Sequence, residues 1–258
     1  MKPRIIMLAF NTLVTKSGHK GLIMYAPTSF RKEAREKTMT RILFSFLFIA
    51  TDSFMILLDN KNFMKIIGLD LAGVEKRPTG FCIMDGMNVK TFILYSDDEI
   101  LHEVEHVKPE VIAIDAPLTL PKGRKSIEER TNIHLRECDR LLLKRGIKFF
   151  PITLGPMRLL TKRGIRLKKI LKKKGFRVIE VYPGGAQDVL GIPRKQKGTE
   201  KLRKSLESLG IEGLKETMND HELDAVTCAF VGKLFLEGRY EVLGSVDDGI
   251  VMPLINKR

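Results

Sequence analysis

The chain has 258 residues, and 43% of them are apolar, which excludes an intrinsically disordered protein and leaves room for a sizeable core. Its net charge of +14 is typical of proteins that meet nucleic acid, anionic membranes or acidic partners. The three cysteines, Cys82, Cys138 and Cys228, are odd in number and far apart. They argue against a disulfide framework and a zinc site, and favour a reducing, cytoplasmic location.

Residues 1–63 lack the regular alternation of strand and helix patterns that begins at Met64. The apolar segment 42–58 follows basic residues and has the look of a signal anchor, but it is shorter than the ~20 residues that span a bilayer, and Asp52 lies within it. We interpret residues 1–63 as a dispensable extension or as upstream sequence translated from a misassigned start. Residues 64–258 then form one domain with a net charge of +8. We expect no obligate membrane partner.

Three short strand patterns open this domain. Residues 66–71 form the first, and residues 80–84 and 89–95 form the next two. Asp85-Gly86 between the last two is typical of a hairpin turn. We therefore expect three antiparallel strands.

A predicted helix over 97–107 and a fourth strand in VIAIDAPL (111–118) come next, so a crossover returns the fourth strand parallel to an existing one. The later predicted elements are a helical insertion over 126–145, a helix over 156–174, a fifth strand over 177–182 stopped by Pro183-Gly184-Gly185, helices over 199–209 and 220–237, and a closing hairpin of 240–243 with 250–254. The pattern predicts an α/β fold on a mixed five-stranded sheet.

Two of the predicted buried strands end in a carboxylate. KIIGLDLAG contains Asp70, and VIAIDAPL contains Asp115. If the two strands are adjacent and parallel, these carboxylates lie about 5 Å apart and repel each other, a conflict that Mg²⁺ or Mn²⁺ would remove. The alternative is that each aspartate only caps a turn or helix.

The last predicted helix adds a third acidic group. Asp220, His221 and Asp224 are three and four residues apart, so they share one helical face. Small Ala225 and Ala229 let this helix lie close to the sheet, which brings Asp224 within reach of a metal ion. Alternatively, Asp220 is the helix N-cap and His221 an ordinary surface histidine.

Glu180, inside the fifth strand, belongs either to this acidic set or to a salt bridge with a basic residue such as Arg177. From Arg158 to Arg177 the chain has ten basic residues and no acid, and residues 194–198 form a second basic loop. The candidate substrate contacts are Arg136, Lys162, Arg163, Arg166, Lys169 and Lys173. The alternative is the solvated face of an amphipathic helix. Aromatic residues are not interleaved with these charges, so base stacking is not indicated.

Taken in order, five motifs resemble one family. They are IIGLDLAG, VIAIDAPL, Arg136-Glu-Cys-Asp-Arg140, VIEVYPGG and HELDAVTCA. The strand and acid order resembles the ribonuclease H-like nuclease fold, and His-x-x-Asp-Ala resembles the corresponding helix of RuvC-type junction resolvases. The whole set resembles the family catalogued as domain of unknown function 429, described as predicted nucleases of that fold. The likeness runs from Met64 essentially to the C-terminus.

The resemblance implies a three-layer ribonuclease H-like fold and a metal-dependent nuclease or phosphodiesterase that uses two cations. It implies Asp70, Asp115 and Asp224 as metal ligands, with Asp220 or His221 as an auxiliary residue. The resulting candidate catalytic set is Asp70, Asp115, Glu180, His221 and Asp224. Arg136 and Asp139 match a family motif, and they either pair with each other or contact a substrate phosphate.

Two other functional classes stay open. One is a non-catalytic protein on the same fold that binds nucleic acid or a partner. The other is a phosphotransferase, because GLDLAG is reminiscent of the first phosphate loop of actin-like and sugar-kinase ATPases. Those enzymes need two such domains, and about 195 residues after Met64 are too few for both.

Overall fold

The computed structural model of the protein describes residues 64–245 and 248–254. The expectations for residues 1–63, including the anchor-like segment 42–58, lie outside the described residues. Among the helices of the described part, none has the length and hydrophobicity needed to cross a membrane.

The described residues form seven strands and six α-helices. In chain order they are β1 (Lys65–Asp70), β2 (Thr79–Asp85), β3 (Asn88–Leu94), α1 (Asp97–Val107), β4 (Val111–Asp115), α2 (Glu137–Lys144), α3 (Gly155–Lys173), β5 (Val178–Val181), α4 (Pro183–Leu190), α5 (Thr199–Ser208), α6 (Asp220–Leu236), β6 (Tyr240–Leu243) and β7 (Ile250–Pro253). A short 3₁₀ turn, Lys195–Lys197, precedes α5.

All seven strands belong to one mixed sheet in the order β3-β2-β1-β4-β5-β7-β6. β1, β2 and β3 are antiparallel, and β4 and β5 then continue the sheet in parallel, as the sequence predicts. The prediction of a five-stranded sheet is wrong, because the two strands of the predicted closing hairpin belong to the same sheet. β7 pairs in parallel with β5 and antiparallel with β6, so the closing hairpin extends the sheet. All four residues of β7 are buried, as expected of a strand with a neighbour on each edge.

The sheet is covered by helices on both faces. Ile66 packs with residues of α4, α5 and α6, whereas the next residue, Ile67, packs with residues of α1 and α3. Successive side chains of a strand point to opposite faces, so β1 and β4 need apolar residues at both parities. This is why their sequences are continuous apolar runs, and why a carboxylate is tolerated only where each run ends.

The expected helical insertion over 126–145 is helical only in α2. Before α2 the chain winds around the buried side chain of Arg124. Its guanidinium donates to the backbone carbonyl oxygens of Ser126, Ile127, Glu129 and Ile133. The carbonyls of a helix all point along its axis, so carbonyls that converge on one side chain do not belong to a helix, and this segment is irregular.

α4 is an element that the sequence analysis missed. Pro183-Gly184-Gly185 predicts a stop after β5, and it does end the strand, but it also begins this helix. Proline is well suited to the first turn because the N–H that it lacks has no helical partner there. Ala186 and Gln187 are buried, so packing against the sheet compensates for the two glycines.

Candidate functional site

Asp70 and Asp115 lie side by side at one end of the sheet. They are the last residues of β1 and β4, and they are direct partners in the parallel register of these strands. The predicted adjacency of the two strands is confirmed. Neighbouring strands are about 5 Å apart, so the two carboxylates project from adjacent positions beyond the carboxyl ends of the strands.

The close approach of α6 to the sheet depends on glycines in β1 and β2. A Cβ atom on Gly68 would lie 2.0 Å from the carbonyl oxygen of Ala225, and one on Gly80 would lie 2.1 Å from that of His221. Gly80 is the partner of Asp70 in the antiparallel register. The backbone of α6 therefore rests directly on the strands beside Asp70, which only glycine permits.

This packing brings two side chains of α6 to the carboxylates. His221 Nδ1 is 2.7 Å from Asp70 Oδ2, and this hydrogen bond raises the pKa of His221. Asp224 is 4% exposed and interacts electrostatically with Asp70 and Asp115. Asn219, not Asp220, caps the helix by accepting a hydrogen bond from the backbone N–H of Glu222.

Two residues that the sequence analysis did not propose hold Asp224. Lys195 Nζ is 2.8 Å from Asp224 Oδ2 and 3.5 Å from Asp220 Oδ2, so Asp220 lies at the edge of the cluster beside this lysine. Gln187 Nε2 donates to Asp224 Oδ1 over 2.9 Å and to Thr227 Oγ1 over 3.2 Å. For Lys195, its place in the second basic loop is the only feature of the sequence that indicates a role. Gln187 lies in α4, a helix that the sequence does not predict.

The cluster has more negative than positive charge. Burial raises the pKa of Asp115 well above its ordinary value, and the charges of Asp70 and Asp224 raise it further. Burial also raises the pKa of Asp224, although Lys195 opposes this effect. Burial alone would lower the pKa of Lys195, but Asp224, Asp70 and Asp220 together outweigh it, and the pKa is raised. These are the electrostatics of a site that favours an additional cation.

The donor atoms suit Mg²⁺ or Mn²⁺, because carboxylate oxygens are the ligands that these hard cations prefer. In residues 64–245 and 248–254, however, no three His, Cys, Asp or Glu side chains are grouped closely enough to hold an ion. Within the cluster, His221 pairs with Asp70 and Lys195 pairs with Asp224. The carboxylates therefore fit a divalent cation chemically, and Lys195 takes part of the charge-balancing role.

Glu180 belongs to a buried ion network beside the carboxylate cluster, and its charge adds to the burial that mainly raises the pKa of Asp115. Its Oε2 accepts hydrogen bonds from the backbone N–H of Leu118 and from Arg136 Nη1, both over 2.7 Å. Arg136 is 5% exposed and also pairs with Asp139 over 2.9 Å. These contacts occupy both charged groups, so we assign Glu180 and Arg136 a structural role, whereas the sequence predicts a catalytic residue and a substrate contact. It holds the loop that follows Asp115. Arg177, the other partner considered, lies over the ring of Phe235 instead.

Arg163 is also a structural residue. It is 4% exposed, and its guanidinium donates to Asp97 Oδ1 and to the backbone carbonyl oxygens of Ala72 and Tyr95. A buried guanidinium with these partners cannot reach a substrate, so the prediction of a substrate contact is wrong for Arg163. Its bond to Ala72 fixes the chain just after Asp70.

Four other predicted substrate contacts, Lys162, Arg166, Lys169 and Lys173, are exposed on α3. Arg166 donates to Asp97 Oδ2 over 2.5 Å, and Lys162 is 3.9 Å from Glu128. α3 leads into the start of β5, whose other end is near Asp115. At 1.5 Å per residue, Lys169 and Lys173 are roughly 20 Å or more from the start of α3. They therefore lie toward the end of the sheet that is opposite to Asp70 and Asp115.

Comparison with known proteins gives a family and two distant structural likenesses. A Thermus thermophilus RuvC in complex with Holliday junction substrate is 16% identical, with 74% of this chain and 100% of that chain covered and a TM-score of 0.39. A second Thermus thermophilus RuvC structure is 13% identical, with coverages of 73% and 100% and the same TM-score. Comparison with curated proteins gives no match. The model of the family "Protein of unknown function (DUF429)" matches residues 68–248, and the chain belongs to this family.

Proposed function

We propose that the protein is a metal-dependent nuclease or phosphodiesterase, with a ribonuclease H-like fold, that hydrolyses a phosphodiester bond of nucleic acid. The observation that carries the proposal is the convergence of Asp70, Asp115 and Asp224 from β1, β4 and α6, with a pKa of Asp115 raised by burial and further by the other two charges. Such an excess of buried negative charge lowers the stability of the folded protein unless a bound cation neutralises it.

Asp70, Asp115 and Asp224 are the residues that would hold Mg²⁺ or Mn²⁺. Two such ions, when bound, supply an activated water molecule and charge stabilisation of the leaving oxygen. His221 uses Nδ1 to orient Asp70, which leaves Nε2 as the nitrogen that can exchange a proton. Gln187 orients Asp224, and the Glu180–Arg136 pair holds the loop after Asp115.

Calorimetric titration of the full chain with Mg²⁺ and with Mn²⁺ tests the site directly. We expect Asp70→Asn and Asp224→Asn each to weaken cation binding at least roughly tenfold, because each removes an anionic ligand. Asp98→Asn is the matched control, since Asp98 is an exposed acid in the first turn of α1. Equal affinities in all four proteins would contradict the metal site.

Cleavage of labelled single-stranded DNA, duplex DNA and RNA in the same buffers then tests the reaction. Hydrolysis by the wild-type protein that is lost in Asp70→Asn and kept in Asp98→Asn would support the proposed activity. Nucleic-acid binding with no cleavage in either cation would favour the non-catalytic binding protein instead.

A further inference from the structure

A cavity of about 170 Å³ adjoins Asp115. Three aromatic side chains line it, Phe149 and Phe150 from the segment before α3 and Tyr182 from the end of β5. Base stacking is not predicted from the sequence because these aromatics lie outside the basic run 158–177 and the basic loop 194–198. The fold brings them together beside the carboxylate cluster.

Two of the three aromatic side chains, Tyr182 and Phe149, are held in place by contacts within the protein. The hydroxyl of Tyr182 donates to the carbonyl oxygen of Lys148 over 2.5 Å and accepts from Arg194 Nη1 over 3.1 Å. Phe149 packs against the apolar cluster that contains Leu142 and Met252. Phe150, by contrast, is 68% exposed, the highest exposure among the large apolar residues of the described chain. An aromatic ring exposed at the mouth of a formed cavity indicates a planar ligand.

The size and surroundings of the cavity narrow the class of ligand. Its volume is below the roughly 300 to 1,000 Å³ of sites for drug-sized molecules, so it admits a single ring system and excludes a base pair. Two basic residues stand at the Tyr182 side. Arg194 hydrogen-bonds to the tyrosine and pairs with Asp188, and the exposed Lys148 directly precedes Phe149. The side chains of Asp115, Arg136, Asp139 and Glu180 line the cavity together with the aromatic rings. A slot with aromatic faces for stacking and polar groups in its wall is an arrangement that binds an unpaired nucleotide.

We propose that this cavity receives one unpaired nucleobase of the substrate strand, next to the phosphodiester group at Asp70, Asp115 and Asp224. The proposal rests on the proposed function for the position of that phosphodiester group. It makes single-stranded or locally unpaired nucleic acid the substrate class, because a base must leave its stack to enter the cavity.

The test uses the full chain in EDTA, so that no cleavage occurs, and short single-stranded oligonucleotides with 2-aminopurine at successive positions. Entry of the base into the cavity changes its fluorescence at one position. We expect Phe150→Ala to weaken binding roughly tenfold and to abolish that change, and Phe150→Tyr to keep both. Leu143→Ala is the matched control, because Leu143 is a 54% exposed apolar residue on α2.

An oligonucleotide with an abasic site at the responsive position should bind as weakly to the wild-type protein as the intact strand binds to Phe150→Ala. The proposal is overturned if Phe150→Ala and Leu143→Ala bind equally tightly, if the abasic strand binds as well as the intact one, or if no single strand binds. Cleavage with Mg²⁺ or Mn²⁺ is measured separately. Cleavage that is insensitive to Phe150→Ala and to the abasic site would contradict the base pocket and support the proposed hydrolase. A Phe150-dependent fluorescence change with no cleavage would support the base pocket and contradict the proposed hydrolase.

Discussion

Asp115 is a residue that the folded chain holds at a cost in stability. Its pKa is raised by burial and by Asp70 and Asp224, so the folded state binds its proton more tightly than the unfolded state does. The stabilising contribution of the protonated carboxyl is therefore complete below the unfolded pKa of about 3.9 and is lost as the pH rises toward the folded pKa.

Asp115→Asn should for this reason stabilise the cation-free protein at neutral pH. We expect the free energy of unfolding to rise by about 1 kcal/mol at pH 7.5, the usual size of a gain from relieving a functional site. The gain should shrink toward pH 4, where Asp115 keeps its proton in the wild-type protein. Urea unfolding in EDTA across this pH range measures both values, and a gain that is independent of pH would contradict the assignment.

At the proposed metal site, Lys195 would compete with a divalent cation for Asp224. Its ammonium lies 2.8 Å from Asp224 Oδ2, so a cation that binds there must displace it. We expect Lys195→Met to tighten Mn²⁺ binding roughly tenfold, or about 1.4 kcal/mol. Lys197→Met, an exposed lysine in the same 3₁₀ turn, should leave the affinity unchanged. Titration followed by the electron paramagnetic resonance of free Mn²⁺ measures both, and weaker binding by Lys195→Met would show that the lysine supports the cation.

Local sequence patterns predict some residues of the candidate site and do not predict others. Asp70 and Asp115 are visible because each ends an apolar run that has no place for a charge. Lys195 and Gln187 are not visible, because their roles arise only when α4 and the 3₁₀ turn pack beside α6. The substrate contact predicted for Arg163 is wrong because its partner, Asp97, is distant in the sequence, and no local pattern shows that the two residues meet.

At the level of elements, the contact between α6 and β1 sets the distance between the carboxylates. Gly68→Ala would place a methyl group 2.0 Å from the carbonyl oxygen of Ala225, so the helix must move away from the strand. We expect a loss of about 3 kcal/mol in the free energy of unfolding, together with weaker cation binding.

Gly155→Ala is the matched control for this change. A Cβ atom on Gly155 meets nothing within 4 Å, so the same substitution there should change stability by less than about 1 kcal/mol. Thermal unfolding and Mn²⁺ titration of the two variants compare both properties. If Gly68→Ala unfolds like Gly155→Ala, the close contact is not what holds α6 in place.

Elements with strong periodicity could be predicted from the sequence, and those fixed by distant contacts could not. β1 to β5, α1, α3, α5 and α6 have the expected order and bounds within a few residues. The segment before α2 is irregular because Arg124 binds its carbonyls, and α4 forms across two glycines because its buried face packs on the sheet. The parallel pairing of β7 with β5 is likewise a tertiary property that a hairpin pattern does not contain.

For the whole molecule, the net charge is less informative than where the charges lie. Lys162 is 68% exposed in the first half of α3, whereas Lys173 lies at its far end. For an oligonucleotide of about six nucleotides, we expect Lys162→Ala to reduce the slope of log affinity against log salt by about 0.7, the value for one phosphate contact on a single strand. Lys173→Ala should leave the slope unchanged. Fluorescence anisotropy at several salt concentrations measures it, and equal slopes for the two variants would place the strand elsewhere.

Asp224 follows Asp70 by 154 positions in the chain, and this separation has a consequence for synthesis on the ribosome. A nascent chain that ends after β5 already contains Asp70 and Asp115, but it lacks both Asp224 and the helix that covers Ile66 and Ala113. One apolar face of its growing sheet is then open to water, which makes it a target for chaperones. The complete set of three carboxylates forms only when translation has passed α6, so an unfinished chain lacks the site to which we assign the proposed hydrolysis.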